Sequence, residues 1–255
     1  MTEFKEIASV RTAFRQQGKG ADVILLHGWG QNMEMMQKIE DHLKEYFHVY
    51  NLDFPGFGES YSPAEPWSVN DYEHFLQEFI RVNDIHNPIL IAHSFGCRVA
   101  IRYAADNPGG VRKMCLTGAA GIRGKRSPEW YIRTAVFKSA KAILKATHNQ
   151  KALDKMKDRF GAEDYKNAQG VMKPTFVKVV NDDVSPVLHC IKCPVLLVWG
   201  DKDTAVPLWM GKEMEKEMPD AGLAVFQNDD HFAYYHQSGR FNKVLDVFLK
   251  QEMNG

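Results

Sequence analysis

Ser94 stands where two sequence patterns meet. Before it, Ile89, Leu90 and Ile91 form a short apolar run opened by Pro88, which is how a buried strand of a parallel sheet reads. After it, Val99, Ala100, Tyr103 and Ala104 recur at helical spacing up to Asn107-Pro108. Only Ala92 to Gly96 separate the two, so Ser94 sits on a sharp strand-to-helix turn and cannot bury its hydroxyl in either element. Such a serine stands exposed above the sheet at a helix N-terminus, where backbone N–H groups and the helix dipole favour negative charge. This is the pattern of a nucleophile elbow, usually G-x-S-x-G, with Ala92 in place of the first glycine. The plainer reading is a serine-capped helix that follows a buried strand.

A serine hydroxyl is a poor nucleophile unless a base, usually histidine, takes its proton and an acid orients the imidazole. Open parallel sheets collect functional groups at the C-terminal ends of their strands. The apolar run Val195 to Trp199 is followed by Asp201 and Asp203, and on a turn either carboxylate could face a histidine. The run Leu223 to Phe226 is followed by Asp229, Asp230 and His231. The strand after the elbow ends in Leu116-Thr117-Gly118 and offers no carboxylate, which leaves the acid to a later strand. Other polar groups read as structural. His27 is a loop histidine, Asp53 a carboxylate that holds its own turn, and His236 a helix-face residue. His93 neighbours Ser94 on a turn that sends adjacent side chains apart, and reads as structural or as lining a substrate pocket.

The elements that must position these groups alternate. Residues 4–15 suggest an edge strand or hairpin. Strands are predicted over Val23 to Leu26, His48 to Leu52, Val111 to Thr117, Pro194 to Trp199 and Leu223 to Phe226. Helices are predicted over Met33 to Tyr46, Val69 to Val82, Leu208 to Met218 and Phe241 to Gln251. Strict alternation predicts an α/β fold with a mostly parallel, doubly wound sheet. It is interrupted between Gly121 and Val187, where helical stretches over Pro128 to Ala146, Lys151 to Arg159 and Thr175 to Val180 are too long for a loop. The expected organisation is a core domain of residues 1–120 and 188–255 with a helical cap, residues 121–187, inserted into it.

The composition is that of a soluble globular chain. Of 255 residues, 44% are hydrophobic and 25% charged, and the formal net charge is zero. Nothing in the overall balance favours nucleic acid or a membrane surface as a partner. The N-terminal residues carry no apolar core of signal-peptide length, and a cytoplasmic location is the expectation. Four cysteines do not make a disulfide framework. Cys190 and Cys193 lack two further zinc ligands at matching spacing and read as buried or idle thiols.

Taken together, the motifs resemble the α/β-hydrolase superfamily over nearly the whole chain. They are His27-Gly28-Trp29-Gly30, the stretch Asp53 to Ser60, the elbow at Ser94, Gly200 to Asp203, and Asp230-His231. The resemblance implies Ser94 as nucleophile, His231 as base and Asp203, ahead of Asp201, as acid. It places the oxyanion hole at the backbone N–H groups of Trp29 and Phe95. It also implies a serine hydrolase that cleaves small to medium carboxylic esters through an acyl-enzyme, with no metal or organic cofactor. Halide- and epoxide-processing members carry an aspartate at the elbow, so Ser94 favours a carbonyl substrate. A C–C bond hydrolase, lactonase or thioesterase would share these motifs, and so would a ligand-binding homologue without turnover.

The cap sets substrate choice. Residues 121–160 hold eleven Lys and Arg, among them Arg123, Lys125 and Arg126, against three acids, a net charge of +8 in a chain whose total is zero. This is either a solvated helix face or an entrance that attracts anionic substrates. Aromatic residues such as Trp130 and Phe137 are candidates for the wall of an apolar substrate pocket.

Overall fold

The computed structural model describes residues 1–124, 147 and 163–254. Eight strands form one sheet in the order β1-β2-β4-β3-β5-β6-β7-β8. β1 (Glu3–Ile7) and β2 (Val10–Gln17) make an antiparallel hairpin. Its two turn residues, Ala8 and Ser9, both adopt positive φ (48° and 61°), the geometry a two-residue hairpin turn needs. β2 pairs antiparallel with β4 (His48–Leu52). All further pairings, through β3 (Asp22–Leu26), β5 (Ile89–His93), β6 (Lys113–Thr117), β7 (Val195–Gly200) and β8 (Ala221–Phe226), are parallel.

The central strands are apolar through their middles because both faces are covered. Ile24, Leu26, Leu90, Ala92, Leu116 and Leu197 point into one core, beneath α2 (Val69–Val82) and α3 (Phe95–Asp106). Val23, Leu25, Ile89, Ile91, Cys115 and Val198 point into the other. There they meet α1 (Gln37–Leu43), the single turn α7 (Ala233–His236) and α8 (Ser238–Leu249). α2 starts at a capping box between Ser68 and Asp71 and buries Tyr72, Phe75, Leu76 and Phe79. Full burial of one such apolar side chain contributes about 1.5–3 kcal/mol.

The remaining described helices are α4 (Glu163–Asn167), α5 (Met172–Val180) and α6 (Leu208–Glu217). The helix predicted from Met33 begins as a 3-10 turn, Met33–Met36, because Asp53 Oδ1 accepts the Met33 N–H at 2.6 Å and holds the entry to α1. The predicted helices over Pro128 to Ala146 and Lys151 to Arg159 lie outside the described residues. The described part of residues 121–187 packs on the sheet domain: Arg98 Nη1 donates to Asp182 O at 2.6 Å, and Thr175 Oγ1 accepts from Trp67 N at 3.1 Å. No helix among the described residues is long and apolar enough to cross a membrane. The four cysteines are free thiols.

Candidate active site

The elbow is held from several sides. Ser94 adopts φ 48° and ψ −106°, a conformation that costs a residue with a side chain about 1–3 kcal/mol and persists only where the surroundings enforce it. Its N–H donates to Thr117 O at 3.0 Å, and its carbonyl accepts from Ala120 N at 3.3 Å and Cys97 N at 3.2 Å. A Cβ on Gly96 would lie 2.5 Å from Leu26 O and 2.8 Å from His27 O, so only glycine lets α3 start this close to the end of β3.

His231 follows β8, and its Nδ1 lies 2.7 Å from Asp203 Oδ2. A carboxylate accepts, so Nδ1 carries the proton and Nε2 keeps its lone pair. The Asp203 carboxylate is buried, and its Oδ1 accepts from the N–H groups of Ala205 (2.9 Å) and Val206 (2.7 Å). Those two bonds leave Oδ2 for the histidine. Asp201, the rival from sequence, is exposed and makes no such contact. The loops that carry the pair cross backbone to backbone. Lys202 N–H donates to Asp229 O at 2.9 Å, and a Cβ on Gly200 would meet Asp230 O at 2.2 Å.

Trp29 and Phe95 face each other, ring centroids 5.5 Å apart. Phe95 is the first residue of α3, where helix N–H groups have no intrahelical acceptor. Among the described residues neither the Trp29 nor the Phe95 N–H has a hydrogen-bond acceptor. The turn ahead of Trp29 is fixed by His27. Its Nε2 accepts the Phe54 N–H at 3.0 Å, so its Nδ1 donates to Gly28 O at 2.7 Å. Burial lowers the His27 pKa to about 4 and keeps the ring neutral, as this pattern requires.

A cavity of about 570 Å³ opens over these groups, with Ser94, Phe95, Trp29 and His231 in its lining. α5 supplies Phe176, Val179 and Val180, and Phe176 packs its ring 5.2 Å from Trp29.

His93 does not line this cavity, which corrects its assignment to substrate binding. Strand alternation sends its side chain to the face of Ile89 and Ile91, where it is fully buried. There its Nδ1 lies 2.9 Å from Thr117 Oγ1, and its ring packs 4.6 Å from His231 and 4.6 Å from Tyr234. Burial, reinforced by the neighbouring His231, holds the His93 pKa well below the usual imidazole value. The other two proposed substrate-binding residues, Trp130 and Phe137, lie outside the described residues. Two residues that the sequence pattern does not single out belong here. Gly118 (φ 50°) leaves room for the His231 ring, since a Cβ would stand 2.8 Å from His231 Nδ1. Arg98, four residues after Ser94, lines the cavity. The i, i+4 spacing is the only trace of it in the sequence.

Among the described residues, Asp229, Asp230 and His236 bring three possible metal-ligand atoms within 4.8 Å of one another. Asp229 is already committed: Oδ1 to His236 Nδ1 (2.9 Å) and to the Asp230 N–H (2.9 Å), Oδ2 to the Gln237 amide (2.8 Å). The group ties the loop behind His231 together.

A doubly wound sheet with a strained serine after a central strand, and an aspartate–histidine pair after the last two, defines a class of protein. The profile of the Alpha/beta hydrolase family matches residues 23–244. The chain belongs to the alpha/beta hydrolase family and is a hydrolase. It is 25% identical over 257 residues to a pimeloyl-[acyl-carrier protein] methyl ester esterase from Chromobacterium violaceum, a match that covers 92% of this chain and 96% of that one. Among solved structures, an esterase from Exiguobacterium antarcticum superposes with a TM-score of 0.77 at 20% identity, covering 98% of this chain and 100% of that one. The enol-lactonase from Burkholderia xenovorans gives 0.76 at 19% identity, covering 97% and 100%. At such identities these two likenesses establish the fold.

Proposed function

We propose that this protein hydrolyses small to medium carboxylic esters through an acyl-enzyme on Ser94. The observation that carries the reading is that His231, paired with the buried Asp203 at 2.7 Å, lines one cavity with the strained Ser94 and with Trp29 and Phe95, whose backbone amides have no acceptor among the described residues. In the first step His231 Nε2 takes the Ser94 hydroxyl proton as Oγ bonds to the ester carbonyl carbon. The charge that develops on the carbonyl oxygen is received by the Trp29 and Phe95 N–H groups. Loss of one such donor typically costs about 3 kcal/mol of transition-state stabilisation. The imidazolium then gives its proton to the departing alkoxide. A water molecule, deprotonated by the same nitrogen, releases the acid and regenerates Ser94. Asp203 holds the tautomer and offsets the imidazolium charge. None of these steps uses a cofactor.

Residues 121–187 serve as a cap over the strand ends in this reading. The support is that α5, from the described part of that interval, walls the cavity. The relative from Chromobacterium violaceum is named for methyl ester cleavage, which also favours an ester. The site of action is cytoplasmic and the partner is a small molecule, with neither nucleic acid nor membrane engaged.

A fluorophosphonate probe tests the core of the reading. Wild-type protein is labelled at Ser94, and Ser94→Ala is not labelled and turns over no ester while its thermal unfolding matches wild type. Labelling elsewhere, or wild-type turnover in purified Ser94→Ala, removes Ser94 from the mechanism. A folded wild type that neither reacts with the probe nor cleaves any ester would be a binding protein on a hydrolase fold.

A further inference from the structure

Arg98 is the only arginine or lysine among the described residues that line the cavity. It lies four residues after Ser94, in the first turn of α3, and both residues line the same cavity. Helix side chains lean toward the N-terminus, here the end of α3 that carries the serine. Its Nη1 donates to Asp182 O at 2.6 Å. Nε and Nη2 have no partner among the described residues, and neither belongs to the buried side-chain atoms left without one. They are the two donors on one edge of the guanidinium, spaced to meet both oxygens of a carboxylate.

A clamp on the Asp182 turn does not account for this placement. Arg102 already holds that turn through Asp182 Oδ1 (3.0 Å) and Asp183 O (2.9 Å), and Val184 N–H adds its bond to Gly121 O. Burial disfavours the Arg98 charge. Asp182 and Asp183 offset this in part, and the nearby Arg123 adds repulsion. An arriving carboxylate would relieve both costs. Asp164 and Asp230 also border the cavity, but both are exposed and screened by solvent.

The walls tell which part of a substrate Arg98 meets. The leaving alcohol must depart beside His231, along the wall built from Thr204, Ala205, Val206, Asp230 and Phe232. Arg98 is not part of that stretch: it is held by Asp182 O, just beyond the C-terminal end of α5, which lines the cavity with Val179 and Val180. We propose that Arg98 anchors a carboxylate at the far end of the acyl group, so that the preferred substrates are half-esters of short dicarboxylic acids. This rests on the ester-hydrolase reading above.

The test compares kcat/KM of the full chain for mono-p-nitrophenyl adipate with that for p-nitrophenyl hexanoate, which has the same acyl length and no charge. Wild type favours the half-ester. Arg98→Gln lowers the charged-to-neutral ratio by roughly tenfold or more, chiefly through KM, as expected for loss of a charge-assisted hydrogen-bond pair. Arg102→Gln, which loosens the same turn from outside the cavity lining, leaves the ratio at its wild-type value. An unchanged ratio in Arg98→Gln, or an equal fall in Arg102→Gln, overturns the anchor. Calorimetric titration with adipate gives a readout that needs no turnover: it binds wild type and binds Arg98→Gln more weakly. Arg98-dependent adipate binding without hydrolysis of either ester sinks the hydrolase reading and keeps the anchor. Hydrolysis of the hexanoate with neither half-ester preference nor adipate binding sinks the anchor and keeps the hydrolase reading.

Discussion

At the residue scale, the two aspartates after β7 differ in what their side chains are bonded to. Asp203 is fixed by two backbone N–H groups and by His231, whereas Asp201 faces water. Asp203→Asn presents an amide donor or a weaker acceptor to His231 Nδ1 and favours the wrong tautomer. Turnover should then fall by roughly 10³–10⁴ with little change in fold, as in triads where this exchange disables the base. Asp201→Asn should stay close to wild type. Steady-state kcat for both variants decides the matter, and the opposite ranking would transfer the orienting role to Asp201. Residue spacing alone does not choose between them, and in the sequence only the family resemblance put Asp203 ahead. Their directions depend on the loop crossing at Gly200, where the backbone carbonyls of Asp229 and Asp230 pass.

At the element scale, most of the sheet was legible because buried parallel strands are apolar without alternation. β4 and α2 occupy the expected ranges, His48–Leu52 and Val69–Val82. The β1–β2 turn was not legible, since Ala8 and Ser9 carry no glycine or asparagine signal for positive φ. α4 and α7 are too short for helical periodicity to register. The face taken by His93 was available from the alternation of Ile89 and Ile91, but proximity to Ser94 in sequence masked it. Gly118 shows what pattern reading omits: its role lies in the space it leaves for His231. Gly118→Ala should cost about 1–2 kcal/mol of stability from its positive φ and displace His231 as well. Gly109, at φ 83° after α3, isolates the backbone cost, because a Cβ there would have nothing within 4 Å. Both alanine variants should lose similar stability in urea unfolding, while kcat falls at least roughly tenfold only in Gly118→Ala. Equal kcat in the two would mean that His231 tolerates the methyl group.

At the scale of the whole molecule, each core holds one buried imidazole near the C-terminal edge of the sheet. His27 packs among Phe54 and Phe57 on the α2–α3 side, and His93 against Tyr234 on the α8 side. Both have pKa values below the ordinary 6.5, His27 at about 4, with burial the largest cause. A group whose folded pKa is depressed in this way stabilises the fold fully above its unfolded value. That stability is lost as pH falls toward the folded value, because the unfolded chain binds the proton first. The window for His27 runs from 6.5 down to about 4. Between pH 6.5 and about 5 it should remove about 2 kcal/mol, at ~1.4 kcal/mol per unit, with His93 adding to the same slope. Asp53, raised by burial from 3.8, has the opposite sign and gains stability on protonation, which opposes the trend at the acid end. Urea midpoints should therefore stay level from about pH 8 to 7 and fall steeply below 6.5. His27→Asn and His93→Asn should each start less stable at neutral pH and show a shallower acid slope than wild type. Wild-type slopes in both variants would place the acid sensitivity elsewhere than in the two buried imidazoles.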